Sequence, residues 1–261
     1  MPGRAGDEPP MSGRPLILVE LYPGAMFPQG DGGNLLALAW RCRRRGIDTT
    51  VRQVDLGEPV PTADLYVIGG AEDEDEPIIA QRLRADGTLA RSVADGAVVF
   101  GVGAGYQILG ESFEDLNGTL VPGVGLLAVR MRRGVFVDRR VVTRPNAALG
   151  LPAMSGYESH RGRALLGRGV APLAELEIGT GNGGNAPKGR ATDGAVQGHV
   201  VGTWLHGPVL PRNPELADLL LDWAAGQDLE PLGERESRFA DLVRSERFAE
   251  ARRYAREGNV A

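Results

Sequence analysis

"FGVGAGYQILG", residues 100–110, lies between the apolar run Ala97-Val98-Val99 and a stretch that reads as a helix. A buried strand, a tight glycine turn and a helix, in that order, are how α/β enzymes display either a catalytic side chain or a phosphate-binding loop. The tip of this turn is Gly103, which offers no side chain at all. As a dinucleotide fingerprint the stretch fails, because G-x-G-x-x-G needs glycine where Tyr106 stands. The ribose-binding acid expected about 20 residues further on is also missing, since Glu111, Glu114 and Asp115 come too early. As a nucleophile elbow it fits better. That turn is crowded and demands small neighbours, which Gly101, Ala104 and Gly105 supply, and the following helix offers its free amides.

Outward from the elbow, strands and helices alternate. "PLILVELY" reads as a buried strand, "GDGGN" as a glycine turn, and "NLLALAWRCRRRG" as a helix with Asn34 as N-cap and Gly46 as its stop. Strands at "TTVRQV", "LYVIGG" and "AVVFG" and a helix at "PIIAQRLRADG" continue the pattern, which indicates a parallel sheet with right-handed crossovers. After Gly125, "LLAVRMRR", "GVFVDRRVVTR" and "PLAELEIG" suggest an antiparallel extension. "VVGTWLHG" ends a further strand on polar groups. "NPELADLLLDWAAG" reads as an amphipathic helix capped by Asn213, with Leu216, Leu219, Leu220 and Trp223 on one side. The expected division is a disordered lead-in at 1–13, a single α/β domain at 14–226, and a polar helical tail at 227–261 that reads as solvated or as a partner contact.

Composition narrows the function classes. The 261-residue chain is 42% hydrophobic with a formal net charge of −5, so nothing suggests a nucleic-acid partner. The clusters Arg41, Arg43, Arg44, Arg45 and Arg130, Arg132, Arg133 read as solvated faces. A single cysteine excludes an intrachain disulfide and a cysteine-cluster metal site. No apolar run reaches the roughly 20 residues of a membrane span, and the start of the chain lacks the apolar core of a signal peptide. The expectation is a cytoplasmic protein without metal or cofactor.

The elbow, read as Val102-Gly103-Ala104-Gly105-Tyr106-Gln107-Ile108-Leu109-Gly110, resembles V-C-[GA]-G-Y-Q-[IL]-L-G of class I glutamine amidotransferases in the cobyric acid synthase-like branch. Four more segments share the resemblance in order: "LYPGAMFPQGDGGNLLAL", "LYVIGGAEDEDE", "GYESHRGR" with Ser159 in place of asparagine, and "GTGNGGN". "VVGTWLHGPVLPRNPELADLLL" is the strongest match. Within that branch the chain is most similar to GatD-type glutaminase subunits. The resemblance implies a flavodoxin-like α/β domain with a mostly parallel central sheet flanked by helices. It also implies a Mur-ligase-like ATP-dependent partner that activates a carboxylate, in the family the D-glutamate of lipid II, for amidation by ammonia.

What the resemblance implies residue by residue is equally specific. His206 matches the catalytic histidine, amides at Gly70, Ala71 and Ala104 offer an oxyanion hole, and Tyr106, Gln107 and His160 fall in substrate-binding segments. Gly103 matches the nucleophile cysteine. Cys42 cannot replace it, being placed inside the first helix. The family arginine that holds the substrate aligns with Phe136. The implied subunit does not hydrolyse glutamine and serves as a scaffold or regulator. A substitution engineered to silence an active subunit is the competing reading; glycine at a strained tip, where an engineer would choose serine or alanine, favours a natural loss. A cleft that binds glutamine or a small amide without chemistry is the alternative from another class.

Overall fold

The computed structural model describes residues 14–26, 31–183 and 190–256. The lead-in expected at 1–13 lies outside the described residues. The first of two sheets contains β1 (Leu16–Leu21), β2 (Thr49–Val54), β3 (Leu65–Ile68), β4 (Val98–Val102), β11 (Ala195–Gln197) and β12 (Val200–Thr203). Its order is β11-β12-β4-β3-β1-β2, with every pairing parallel except β11 with β12. "LYVI" and "VVFGV" are buried at every position because β3 and β4 are covered on both faces, the condition that makes continuous apolar runs read as central parallel strands.

Helices cover both faces. On one, α1 (Gly33–Arg44) and α6 (Pro214–Ala225) bury Leu35, Leu38, Cys42, Leu216 and Leu220 against Leu18, Leu65 and Phe100. On the other, α2 (Glu76–Asp86), α3 (Thr88–Ala94) and α4 (Ala104–Leu109) bury Ile79, Leu83, Leu89, Ile108 and Leu109 against Val19, Tyr66 and Val99. Gly46 ends α1 at φ 67°, in the left-handed region where glycine is favoured. Gly87 ends α2 in the same region, and α3 follows it directly, a helix the sequence pattern did not reveal.

Two expected caps do other work. Asn34 makes no cap bond; its Oδ1 accepts from the amide of Leu210, 2.9 Å away, tying α1 to α5 (Val209–Arg212). Asn213 precedes α6 but its carboxamide bonds Ser155 N and O and Val209 O, clamping the second sheet onto the helices. The arginines of α1 are not simply solvated either. Arg41 and Arg45, with side chains only 11% and 6% exposed, both pair with Asp218 of α6. The 130–133 cluster does pair at the surface, with Glu111, Glu114 and Asp73.

The antiparallel extension is a second sheet, of order β10-β9-β7-β5-β6 with β8 also on β7. It comprises β5 (Ser112–Glu114), β6 (Leu120–Pro122), β7 (Val129–Thr143), β8 (Ser155–Leu166), β9 (Ala174–Ile178) and β10 (Thr192–Asp193). The fragments "LLAVRMRR" and "GVFVDRRVVTR" join in the single long strand β7, whose pairing with β8 shifts register between Arg133 and Val137. The polar tail forms α7 (Glu234–Arg256), and it is docked rather than solvated. Ala251 is buried, Arg140 pairs with Glu250, Arg252 with Glu177, and Arg244 with Glu215. Among the described residues no helix is long and apolar enough to cross a membrane.

Candidate functional site

The elbow sits where β4 ends. Gly103 has φ 56° and ψ −112°, and α4 begins at the next residue. The turn is crowded enough to require its small residues. A Cβ on Gly105 would lie 2.4 Å from the carbonyl oxygen of Ile68, and one on Gly101 would lie 2.6 Å from Leu109 Cδ1. The amide of Gly103 donates to Thr203 O at 2.9 Å, which ties the tip to the end of β12. His206 follows that strand and turns its ring to the tip. A Cβ built on Gly103 would stand 2.6 Å from His206 Cε1 and 2.8 Å from Nε2. The space a nucleophile's first carbon would need is therefore taken by the imidazole.

His206 is 2% exposed. Its amide donates to Tyr157 O at 2.7 Å, and the two rings stack with centroids 5.6 Å apart. Nδ1 lies 3.4 Å from Oδ2 of Asp31, a fully buried carboxylate. The tip, the imidazole and the carboxylate thus stand in the order of a nucleophilic triad, in which an acid orients the ring and the ring takes the nucleophile's proton, but here Nδ1 makes no hydrogen bond to Asp31. The tip here carries no group with a proton to give. Cys42 is fully buried in α1, and burial pushes its thiol up to about 11, the opposite of a reactive cysteine. Sequence reasoning missed Asp31, quoting it only inside a glycine turn. The available signal was its place in the loop after β1, at the carboxyl end of the sheet where α/β folds assemble their sites.

The three expected oxyanion amides are not equivalent. Gly70 N donates to Asp31 Oδ2 at 2.9 Å and is taken. Ala71 N and Ala104 N have no acceptor among the described residues, Ala104 being the first residue of α4, whose amide has no partner within the helix. Gln107 remains beside the elbow, half-buried, where its Nε2 donates to Glu76 Oε1 at 2.7 Å. Glu76, also missed from sequence, is 4% exposed; burial, helped by Asp73, pushes its carboxyl up to about 8.

Two expected substrate contacts, Tyr106 and His160, have partners within the protein. Tyr106 is fully buried, its hydroxyl bonded to Asn182 Oδ1 and its ring set edge-on to Trp204. His160 stacks on Trp204 with centroids 4.1 Å apart, its Nδ1 3.0 Å from Gly162 O and its Nε2 3.3 Å from Glu158. Glu158 also accepts from the amides of Thr180 and Gly181, so the "GYESHRGR" strand holds the start of the glycine-asparagine segment in place. Those bonds and that of His160 hold its carboxyl below the usual range against the opposing effect of burial. Phe136 is 48% exposed, with the Arg161 guanidinium 5.0 Å over its ring.

The chain is similar to several known proteins. The GatD subunit of lipid II isoglutaminyl synthase (glutamine-hydrolyzing) from Streptococcus pneumoniae is 27% identical over 225 residues, covering 82% of this chain and 84% of that protein. The corresponding Staphylococcus aureus subunit is 29% identical, covering 74% and 78%. A cobyric acid synthase of Limosilactobacillus reuteri is 33% identical over 169 residues, but that span is only 32% of its length. Among solved structures, a glutamine amidotransferase aligns with TM-score 0.52 at 21% identity over 79% of this chain and 98% of that one. PurLQS from Thermotoga maritima aligns with TM-score 0.55 at 15% identity, covering 80% and 98%. Those two likenesses show the fold alone. The family of CobB/CobQ-like glutamine amidotransferase domains matches residues 26–214, most of the described chain, and the chain belongs to that family.

Proposed function

We propose that this chain is a GatD-like amidotransferase subunit that has lost glutamine hydrolysis and acts as the scaffold or regulator of a Mur-ligase-like ATP-dependent partner. One observation carries the reading: Gly103 stands at the elbow tip with the His206 ring in the place of its missing side chain. In the family chemistry a thiolate at the tip attacks the glutamine amide carbon. The imidazolium then protonates the departing nitrogen, ammonia leaves, and water hydrolyses the thioester. Every step runs through the nucleophile. Its loss from such a unit lowers turnover on the order of a millionfold. The substrate side of the cleft supports the same reading, since the Gly70 amide is engaged by Asp31 and Gln107 by Glu76.

The partner in this reading activates an acceptor carboxylate with ATP, and the amine it uses comes from free ammonia rather than from this subunit. The test is to isolate the complex from its native host and supply ATP, acceptor and either glutamine or ammonium. Amidation with ammonium and none with glutamine is the expected result. Glutamine-dependent amidation by that complex, abolished by His206→Ala, contradicts the proposal.

A further inference from the structure

A cavity of about 280 Å³ lies between α7 and the β7–β8 pair, and Tyr157, whose ring stacks on His206, is part of its lining. Three guanidinium-bearing side chains line it, each from a different element: Arg140 on β7, Arg212 at the end of α5, and Arg247 on α7. Among the described residues one carboxylate answers them, Glu250, which pairs with Arg140 at 2.7 Å. Arg212 donates its Nε to Gly207 O, leaving its terminal nitrogens without a partner among the described residues. Arg247 has no hydrogen bond or ion pair among them. The positive charge is uncompensated enough that burial, then Arg247 and Arg140, lower the affinity of Arg212 for its proton.

A second observation is independent of the arginines. Ser155 lines the same cavity, is 4% exposed, and its Oγ has no hydrogen-bond partner. A buried hydroxyl without a partner destabilises the fold unless something supplies one. Balancing the unpaired charge of Arg212 and Arg247 and bonding that hydroxyl takes the same occupant, an anion with several acceptor oxygens. The volume is just under the roughly 300 Å³ at which sites for larger small molecules begin. It suits a phosphate group with at most a small organic substituent.

We infer that this cavity is a binding site for a phosphate-class oxyanion, held by Arg140, Arg212, Arg247 and the Ser155 hydroxyl, beside the elbow and on the far side of Tyr157 from His206. Guanidinium groups match phosphate oxygens in fork geometry, and three of them arriving from different directions suit a tetrahedral anion better than a planar one. The ligand would also bridge α7 to the second sheet, adding to the ion pairs that already dock it.

The experiment is calorimetric titration of the full chain with inorganic phosphate, phenyl phosphate and acetate, in low-salt buffer free of other multivalent anions. The expected result is saturable one-to-one binding of inorganic phosphate tighter than about 1 mM, weakened by added salt, with acetate at least tenfold weaker. Phenyl phosphate binding more tightly than phosphate assigns the site to a phosphomonoester; the reverse assigns it to the free anion. Arg247→Gln, on the one arginine with no structural bond, should weaken binding at least tenfold while leaving the circular dichroism spectrum unchanged. Ser155→Ala should weaken it less. Absence of saturable phosphate binding, or equal binding by Arg247→Gln, overturns the inference.

Discussion

Gly103→Ala isolates the feature on which the site turns. Two effects act on the new methyl group. The first is backbone strain, because φ 56° with ψ −112° lies outside the wells open to L residues, at about 1–3 kcal/mol. The second is overlap, because the Cβ would stand 2.6 Å and 2.8 Å from two atoms of a ring that is itself 2% exposed. Overpacking of that kind costs about 1–3 kcal/mol. The sum is about 2–6 kcal/mol, or a fall in Tm of roughly 4–24 °C at 2–4 °C per kcal/mol for a chain of this size. Gly96→Ala separates the two terms, since Gly96 also has positive φ, at 103°, but its Cβ would meet nothing within 4 Å. A Gly103→Ala, His206→Ala double variant removes the overlap and keeps the strain, so the two substitutions should couple by about 1–3 kcal/mol. Chemical denaturation of the four chains of that cycle gives the number. If Gly103→Ala is as stable as the parent, or equally costly with and without His206, the ring does not occupy the nucleophile's place and the argument fails.

Restoring the thiol with Gly103→Cys should give a cysteine that alkylates readily at a helix N-terminus, yet releases no ammonia from glutamine, because the imidazole must move and the Gly70 amide and Gln107 are already engaged. Robust glutaminase activity from that single substitution points instead to an intact site silenced at one position. Glu76 should make stability fall with rising pH. Its folded value of about 8 exceeds its ordinary 4.5, so the stabilisation is complete below pH 4.5 and is lost progressively up to about pH 8. The loss reaches up to about 5 kcal/mol, and Glu76→Gln should flatten that part of the profile in denaturant titrations. Asp218→Ala strands two arginines that are 11% and 6% exposed and should lower stability by about 2–4 kcal/mol; a loss under 0.5 kcal/mol, read from urea midpoints, removes the pair from the account.

The central sheet was legible because its strands are buried on both faces, so "LYVI" and "VVFGV" carry their position as unbroken apolar runs. The elbow was legible for a related reason. Gly101 and Gly105 are dictated by distances of a few ångströms to Leu109 and Ile68, and small residues at that spacing show in the sequence. Asp31 was not, because its carboxylate acts on His206 and Gly70, which lie far along the chain. The same holds for Asn34 and Asn213, whose local context promises helix caps while their amides are used to join distant elements. Gly134 hid the continuity of β7, since a glycine between two strand patterns reads as a break; here it falls within the register shift between Arg133 and Val137. Helix α7 reads in the sequence as a polar helical tail, solvated or a partner contact; its docking was not legible because its arginine–carboxylate pairs reach residues far along the chain. His160 and Tyr106 sit in segments that resemble substrate-binding motifs, yet their partners are Trp204, Glu158 and Asn182.

The most direct test is ammonia release from glutamine by the purified chain, alone and with any protein that co-purifies with it, measured beside a cysteine-bearing GatD subunit. The account predicts a rate indistinguishable from buffer under every condition in which the cysteine enzyme turns over. Turnover within a hundredfold of that enzyme, lost in His206→Ala, would show that a nucleophile other than a side chain at Gly103 works in this site and would contradict the account.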